Sequence, residues 1–175
     1  RAGEALKKTL VAIAVLGYIG ACVLLVAGLG YLWHRSDPAP EQPIAFPHMV
    51  HAGGLQMPCV YCHTFVERSR HASAPPLEIC MGCHRSIATD REEIRKLTRY
   101  YEEKRPIEWK RVYALPDFIY FSHKRHVKAG VECAACHGNV AGMRKVRRVN
   151  ELLMGWCVSC HRVRGASRDC ATCHK

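Results

Sequence analysis

The chain has 175 residues, room for about one domain, and 26 Lys and Arg against 15 Asp and Glu give it a formal net charge of +11. Its 11 cysteines exclude an ordinary cytosolic enzyme and must belong to disulfides, metal sites or groups attached through sulfur. The basic excess alone would invite a nucleic-acid reading, which the cysteine pattern displaces.

Thr9 to Trp33 is a run of 25 residues without a charge. As a helix it would be about 37 Å long, enough to span a bilayer with some tilt. Tyr31 and Trp33 stand at its far end, where interfacial aromatics belong. A cleaved signal peptide is the competing reading, but the apolar run is too long and no small-x-small cleavage site follows it. The expectation is a retained transmembrane helix over 9–33. Arg1, Lys7 and Lys8 then place residues 1–8 in the cytoplasm and everything after the helix on the periplasmic side of the inner membrane. Ala14, Ala21 and Gly28, with Gly17 beside them, form a small-residue stripe suited to a partner helix. Cys22 reads as an apolar filler, and His34 as a residue of the membrane edge. The proline-rich stretch 34–47 is predicted to be a stiff, extended spacer.

An internal repeat follows. "IAFPHMVHAGGLQMPCVYCH" (44–63) aligns with "IYFSHKRHVKAGVECAACH" (119–137). Each copy has Phe-x-His-x-x-His and then Cys-x-x-Cys-His, and each is followed by a second Cys-x-x-Cys-His-Arg. Between the copies, Thr89 and Glu92 suggest a capping box. It would open a helix with Ile94, Leu97 and Tyr101 on its inner face and Pro106 beyond its end. Strand signals are few. The predicted fold is mainly α with much irregular structure: one N-terminal transmembrane helix, then a domain over 48–175 of two repeated modules and one appended unit.

Ten cysteines fall into five pairs: Cys59 and Cys62, Cys80 and Cys83, Cys133 and Cys136, Cys157 and Cys160, Cys170 and Cys173. Each pair is followed at once by histidine: His63, His84, His137, His161 and His174. This is the attachment signature of c-type haem. The two thiols add to the haem vinyl groups and the histidine binds iron from one side. Zinc is the serious rival, because Cys59 and Cys62 with Cys80 and Cys83 fit a zinc-ribbon spacing. Zinc ribbons do not require a histidine after every pair, and five pairs leave one unmatched. The expectation is five covalently attached c-type haems. Their propionates would bring about ten negative charges, so the basic excess becomes internal compensation and nucleic acid is not expected as a partner. The run "RKVRR" (144–148) would neutralise propionates, dock an acidic partner or simply face solvent.

Setting aside the five proximal histidines and His34 leaves His48, His51, His71, His123 and His126, one for the open side of each iron. Histidines at i, i+3 on a helix lie on one face. Such rings cannot easily approach one iron from opposite sides, but each can reach a different haem. His48 with His51, and His123 with His126, are therefore expected to staple haems together. The fifth distal position falls to His71, to Met154 or Met143, since methionine is also an axial ligand, or is left without a ligand. Haem capped on both faces has no vacant position for substrate. The pattern points to electron transfer, with no catalytic site of the chain's own expected, rather than to a haem reductase for a small oxyanion.

Phe-x-His-x-x-His ahead of Cys-x-x-Cys-His resembles the class III multihaem cytochromes. "HAGG", "CVYCH", "EICMGCH", "WKRVYALPDFIYFSHKRH", "CAACHGNV" and "LLMGWCVSCHR" resemble more closely the membrane-anchored pentahaem subunit of alternative complex III. That resemblance implies an electron-transfer subunit of a quinol-oxidising complex. Its partners would be an iron–sulfur subunit, integral membrane quinol-binding subunits and a monohaem cytochrome. The acceptor would be a small cytochrome, a blue copper protein or an oxygen reductase. By analogy with class III cytochromes, His48 would serve the haem at Cys59 and Cys62, and His123 the haem at Cys133 and Cys136, the destinations of His51 and His126 staying open. The alternative is a free-standing membrane-anchored multihaem quinol dehydrogenase of the NapC/NrfH type.

Overall fold

The computed structural model describes residues 2–34 and 39–175. It divides into two compact units, Arg1–Asp37 and Pro38–Lys175. The first is one helix, α1 (Ala2–His34). It is longer than the uncharged run because Glu4, Lys7 and Lys8 are good helix formers that extend the same rod. Ala2–Leu32 is long and apolar enough to cross a membrane, and its leucines and valines, Leu24 and Val26 among them, stand exposed all round. Such a surface belongs in lipid or against other apolar helices. Residues 35–38 of the predicted spacer, and the side chains of Trp33 and His34, lie outside the described residues.

The second unit is helical and irregular. A short π-helical turn (Met49–Gly54) is followed by α2 (Cys59–Cys62), α3 (Leu77–His84) and α4 (Glu92–Glu102). Then come α5 (His123–Lys128), α6 (Cys133–His137), a 3-10 turn (Val140–Gly142), α7 (Met154–Val163) and α8 (Cys170–Cys173). Among the described residues there is no strand, only one antiparallel bridge between Ile119 and His174.

The protein core is small. Ile44, Met81 and Leu97 are buried together, with Leu77, Ile94, Tyr100, Tyr101, Ile107 and Trp109 packed around them. The predicted inner face of α4 is therefore the packed face, since Ile94, Leu97 and Tyr101 recur at helical spacing. The predicted capping box does not form. Arg91 occupies the N-cap with no side-chain hydrogen bond, and Glu92 is the first helical residue. Thr89 lies too far upstream to cap this helix. Glu93 instead accepts from the backbone N–H of Ala45 at 2.6 Å and pairs with Lys96 at 2.6 Å.

The expected boundary at 48 is also too late. Gln42 and Lys110 exchange two hydrogen bonds, Glu41 pairs with Lys145, and Ile44 enters the core. Residues 41–47 belong to the folded unit, so only the start of the proline-rich stretch is left for a spacer. The proline pattern suggested an extended segment, but Ile44 and Phe46 give that segment apolar side chains to bury.

Candidate metal centres

Each cysteine pair sits on a short helix, and one helical turn brings residues i and i+3 to one face. Cys59 and Cys62 open and close α2, with Pro58 as the N-cap fixing the entry. Cys133 and Cys136 lie in α6 behind Glu132, and Cys170 and Cys173 span α8 behind Asp169. Cys80 and Cys83 lie within the longer α3, and Cys157 and Cys160 within the longer α7.

The two thiols of a pair are not equivalent, a difference that the identical spacing does not show. In α2, α6 and α8 the first cysteine is the exposed one (Cys59, Cys133, Cys170), and Cys62, Cys136 and Cys173 are half-buried. In α3 and α7 the order is reversed: Cys83 and Cys160 stand exposed, while Cys80 and Cys157 are half-buried. The reversal coincides with helix length, since α3 and α7 are the longer of the helices that carry a pair. In α3 the earlier cysteine, Cys80, packs against the core formed by Ile44, Met81 and Leu97. All eleven cysteines are unpaired. Among the described residues, no three of His, Cys, Asp and Glu converge to hold a bare metal ion. The pairs thus close no disulfide.

The histidines do meet, in twos. His123 and His137 have ring centres 6.3 Å apart and planes 8° from parallel. His51 and His84 are 6.0 Å apart, as are His126 and His161. A metal–imidazole bond of about 2 Å, with about 1.1 Å from nitrogen to ring centre, puts two imidazoles on opposite faces of one iron about 6.2 Å apart. The three separations match that span. His48 lies near His63. Burial first, and then the charge of His63, hold the His48 imidazole down at about 4. Burial likewise lowers His123 and His137, each with other histidines adding to it. These rings are neutral at physiological pH and keep a lone pair for a metal.

Which nitrogen is free is set by the other one. Nδ1 bonds a backbone carbonyl at His63 (Ser73, 2.7 Å), His84 (Ile87, 3.0 Å) and His161 (Ser167, 2.6 Å). The same holds at His51 (Pro47, 3.2 Å), His123 (Arg70, 2.9 Å) and His126 (Ser122, 2.8 Å). Donation from Nδ1 leaves Nε2 as the ligating atom and holds the ring's orientation. His48 differs, because its Nδ1 is buried without a hydrogen-bond partner. The phenylalanine of each repeat braces both rings: Phe46 contacts His48 and His51, and Phe121 contacts His123 and His126.

The fifth unit is built differently. The His174 ring stacks on Phe118 at 5.8 Å, and Tyr120 donates its backbone N–H to the Cys173 carbonyl. Of the candidates for its second ligand, His71 is exposed and bonds Ser69 Oγ through its backbone N–H. Met143 is half-buried and offers its carbonyl to Met49, while Met154 is exposed at the start of α7. Among the described residues, no hydrogen bond or ring contact joins any of the three to His174.

Sequence reasoning missed several supports. Tyr113 meets His137 edge-on at 4.6 Å and accepts the Val149 N–H through its hydroxyl. Asn150 donates to the Cys136 carbonyl at 2.9 Å. The backbone carbonyls that orient the histidines carry no residue-type signature at all.

Residues 119–175 match the family model for cytochrome c7 and related cytochrome c. This cytochrome c7-like segment holds α5 to α8 and three of the five cysteine pairs. The chain is also 29% identical over 185 residues to the multihaem cytochrome c subunit of a menaquinone reductase from Nitratidesulfovibrio vulgaris. That alignment covers 90% of this chain and 88% of the relative. Both similarities support a multihaem c-type cytochrome with covalently bound haem. The unpaired cysteines and the imidazole pairs of the structure suit that cofactor.

Proposed function

We propose that the chain carries five c-type haems and serves as the electron-transfer subunit of a quinol-linked membrane complex. The observation that carries this reading is the near-parallel His123–His137 pair at 6.3 Å, whose separation recurs at 6.0 Å, with planes 66° and 42° apart, at His51–His84 and His126–His161. Cys59 and Cys62, Cys80 and Cys83, Cys133 and Cys136, Cys157 and Cys160, and Cys170 and Cys173 attach the porphyrins. His63, His84, His137, His161 and His174 are the proximal ligands. His48, His51, His123 and His126 are the distal ligands to the first, second, third and fourth units in chain order. The second ligand of the His174 unit is drawn from His71, Met143 and Met154. The haems supply one-electron redox chemistry. In the four paired units the histidines would supply a ligand to each side of the iron, with six of the eight rings held by an Nδ1 bond, and would leave no iron site there for substrate. Substrate chemistry therefore belongs to other subunits.

Within this reading, α1 anchors the chain in the inner membrane with the haem unit on the periplasmic side. The resemblance to the pentahaem subunit of alternative complex III favours electrons leaving a quinol for a periplasmic acceptor. The partners are then an iron–sulfur subunit, quinol-binding membrane subunits and a monohaem cytochrome. The relative, named as a subunit of a menaquinone reductase, favours the reverse direction, with electrons passing toward menaquinone. Purification of the intact complex in mild detergent, followed by assays in both directions, decides between them. Quinol-dependent reduction of a cytochrome acceptor supports the first, and quinone-dependent oxidation of a reduced cytochrome supports the second. A chain that purifies alone and oxidises quinol would overturn both in favour of a free-standing dehydrogenase. An intact mass without five porphyrin increments would remove the haem reading itself.

A further inference from the structure

The contacts that join the attachment units are not all between units consecutive in the chain. The unit of Cys80 and Cys83 is tied to the first repeat. His84 faces His51 at 6.0 Å, and Met81 of α3 is buried with Ile44 and Leu97. The unit of Cys59 and Cys62 is tied across to the second repeat by a reciprocal contact. His123 donates both its backbone N–H (3.1 Å) and Nδ1–H (2.9 Å) to the Arg70 carbonyl, and Lys124 donates to the Ser69 carbonyl (3.1 Å). Arg70 and Ser69 belong to the loop that follows α2. In return, Met49 donates to the Met143 carbonyl (2.9 Å) in the loop that follows α6. Backbone meets backbone here: a Cβ on Gly53 would lie 2.5 Å from the Ala141 carbonyl oxygen. Side chains agree, since the Cys133 thiol interacts with that of Cys59 and the His137 ring with His63.

The second repeat continues the sequence of contacts. Phe121 braces both His123, which faces His137, and His126, which faces His161 at 6.0 Å. Asn150 in the segment before α7 holds the Cys136 carbonyl, and the thiols of Cys160 and Cys157 act on that of Cys136. The last unit lies beside the fourth: the Ser167 carbonyl accepts from His161 Nδ1 at 2.6 Å, and the Ser167 hydroxyl meets Thr172 Oγ1 of α8 at 2.9 Å. It also touches the segment leading into α5 through Tyr120 and Ile119.

We infer that the units are ordered in space as those ending at His84, His63, His137, His161 and His174, with the first-repeat unit of His63 and the second-repeat unit of His137 as the junction. The units of His84 and His174 are then the outer ones, where a partner's redox centre meets this chain. The two units consecutive in sequence across the repeat boundary, those of His84 and His137, are kept apart. This inference rests on the haem reading above.

An iron anomalous difference map from crystals of the intact holoprotein tests it. The iron bound by His137 should lie closer to the iron bound by His63 than to the iron bound by His84. The iron bound by His174 should have that of His161 as its nearest neighbour. Five irons with those of His84 and His137 adjacent would overturn the order while leaving the haem reading intact. Crystals with no iron at the Cys-x-x-Cys-His units would overturn the haem reading and the order with it.

Discussion

The first repeat sets Phe46 edge-on to His48 at 4.8 Å and stacked on His51 at 4.4 Å; the second sets Phe121 edge-on to His123 at 4.8 Å and tilted over His126 at 4.5 Å. Around these matched rings the two halves diverge. The first copy runs through a π-helical turn and the second through an α-helix. His123 has a carbonyl partner for Nδ1, while His48 has none. Ile44, Val66, Met81 and Leu97 are the buried hydrophobics among the described residues, and all precede the second repeat. One half therefore has a protein core of its own. The other relies on tethers such as Tyr113 and Asn150, and on the cofactors proposed to lie there. A motif can thus fix the placement of its rings while the supporting material around it changes.

The sharpest way to break that contrast is to withhold haem. Expressed without covalent haem attachment, the second half should lose its amide protection entirely. Slow hydrogen exchange should survive only in α3 and α4. Equal protection in both halves would show that the core does not set the difference.

Next in size is loss of a distal ring. His126→Ala in the holoprotein should convert one low-spin iron, the one bound by His161, into a high-spin species visible by electron paramagnetic resonance. His51→Ala should do the same opposite His84. A spectrum that stays low-spin throughout would mean these rings are not ligands.

Leu97→Ala, in the packed core, should lower stability by about 2–4 kcal/mol. Truncation of half-buried Val131 to Ala in the second repeat should cost less than about 1 kcal/mol. Guanidinium unfolding of the two holoprotein variants would measure both.

The smallest effect concerns the strap from residue 45 to α4. Lys96, and then the Ala45 N–H, hold the Glu93 carboxyl below its ordinary value of 4.5. A depressed folded-state pKa contributes stability that is present above the ordinary value and lost as pH falls through the depressed one. The group is partly exposed, so Glu93→Ala should cost under about 1 kcal/mol near neutrality. The gap to the parent should close in acid below 4.5. A gap independent of pH would assign the loss to packing instead.

Much of this was legible in the residues. The Cys-x-x-Cys-His units, the repeat and the face of α4 all follow from spacing, because helical periodicity is local. Which ring each second histidine meets is not local. His51 reaches His84 only because α3 packs on α4 and Ile44. Nor is the choice of exposed thiol, which falls on Cys83 and Cys160 in the long helices and on the other member of the pair in the short ones. The capping box misled because Thr89 and Glu92 match a pattern whose hydrogen bonds the turn at Ala88–Arg91 does not make. The spacer misled because four prolines outweighed one isoleucine, whereas burial favours the isoleucine.

The exchange of contacts between the two halves has a consequence for how such a chain can grow. Each half gives the segment carrying its histidine pair and receives that of the other, as two subunits do about a twofold axis. A self-complementary pairing of this kind is closed: it uses up the matching surfaces on both copies and has no place for a third. Any further Cys-x-x-Cys-His unit then lies outside that pairing and needs no histidine pair of its own. Cys170–His174, which lacks a His-x-x-His of its own, is such a unit.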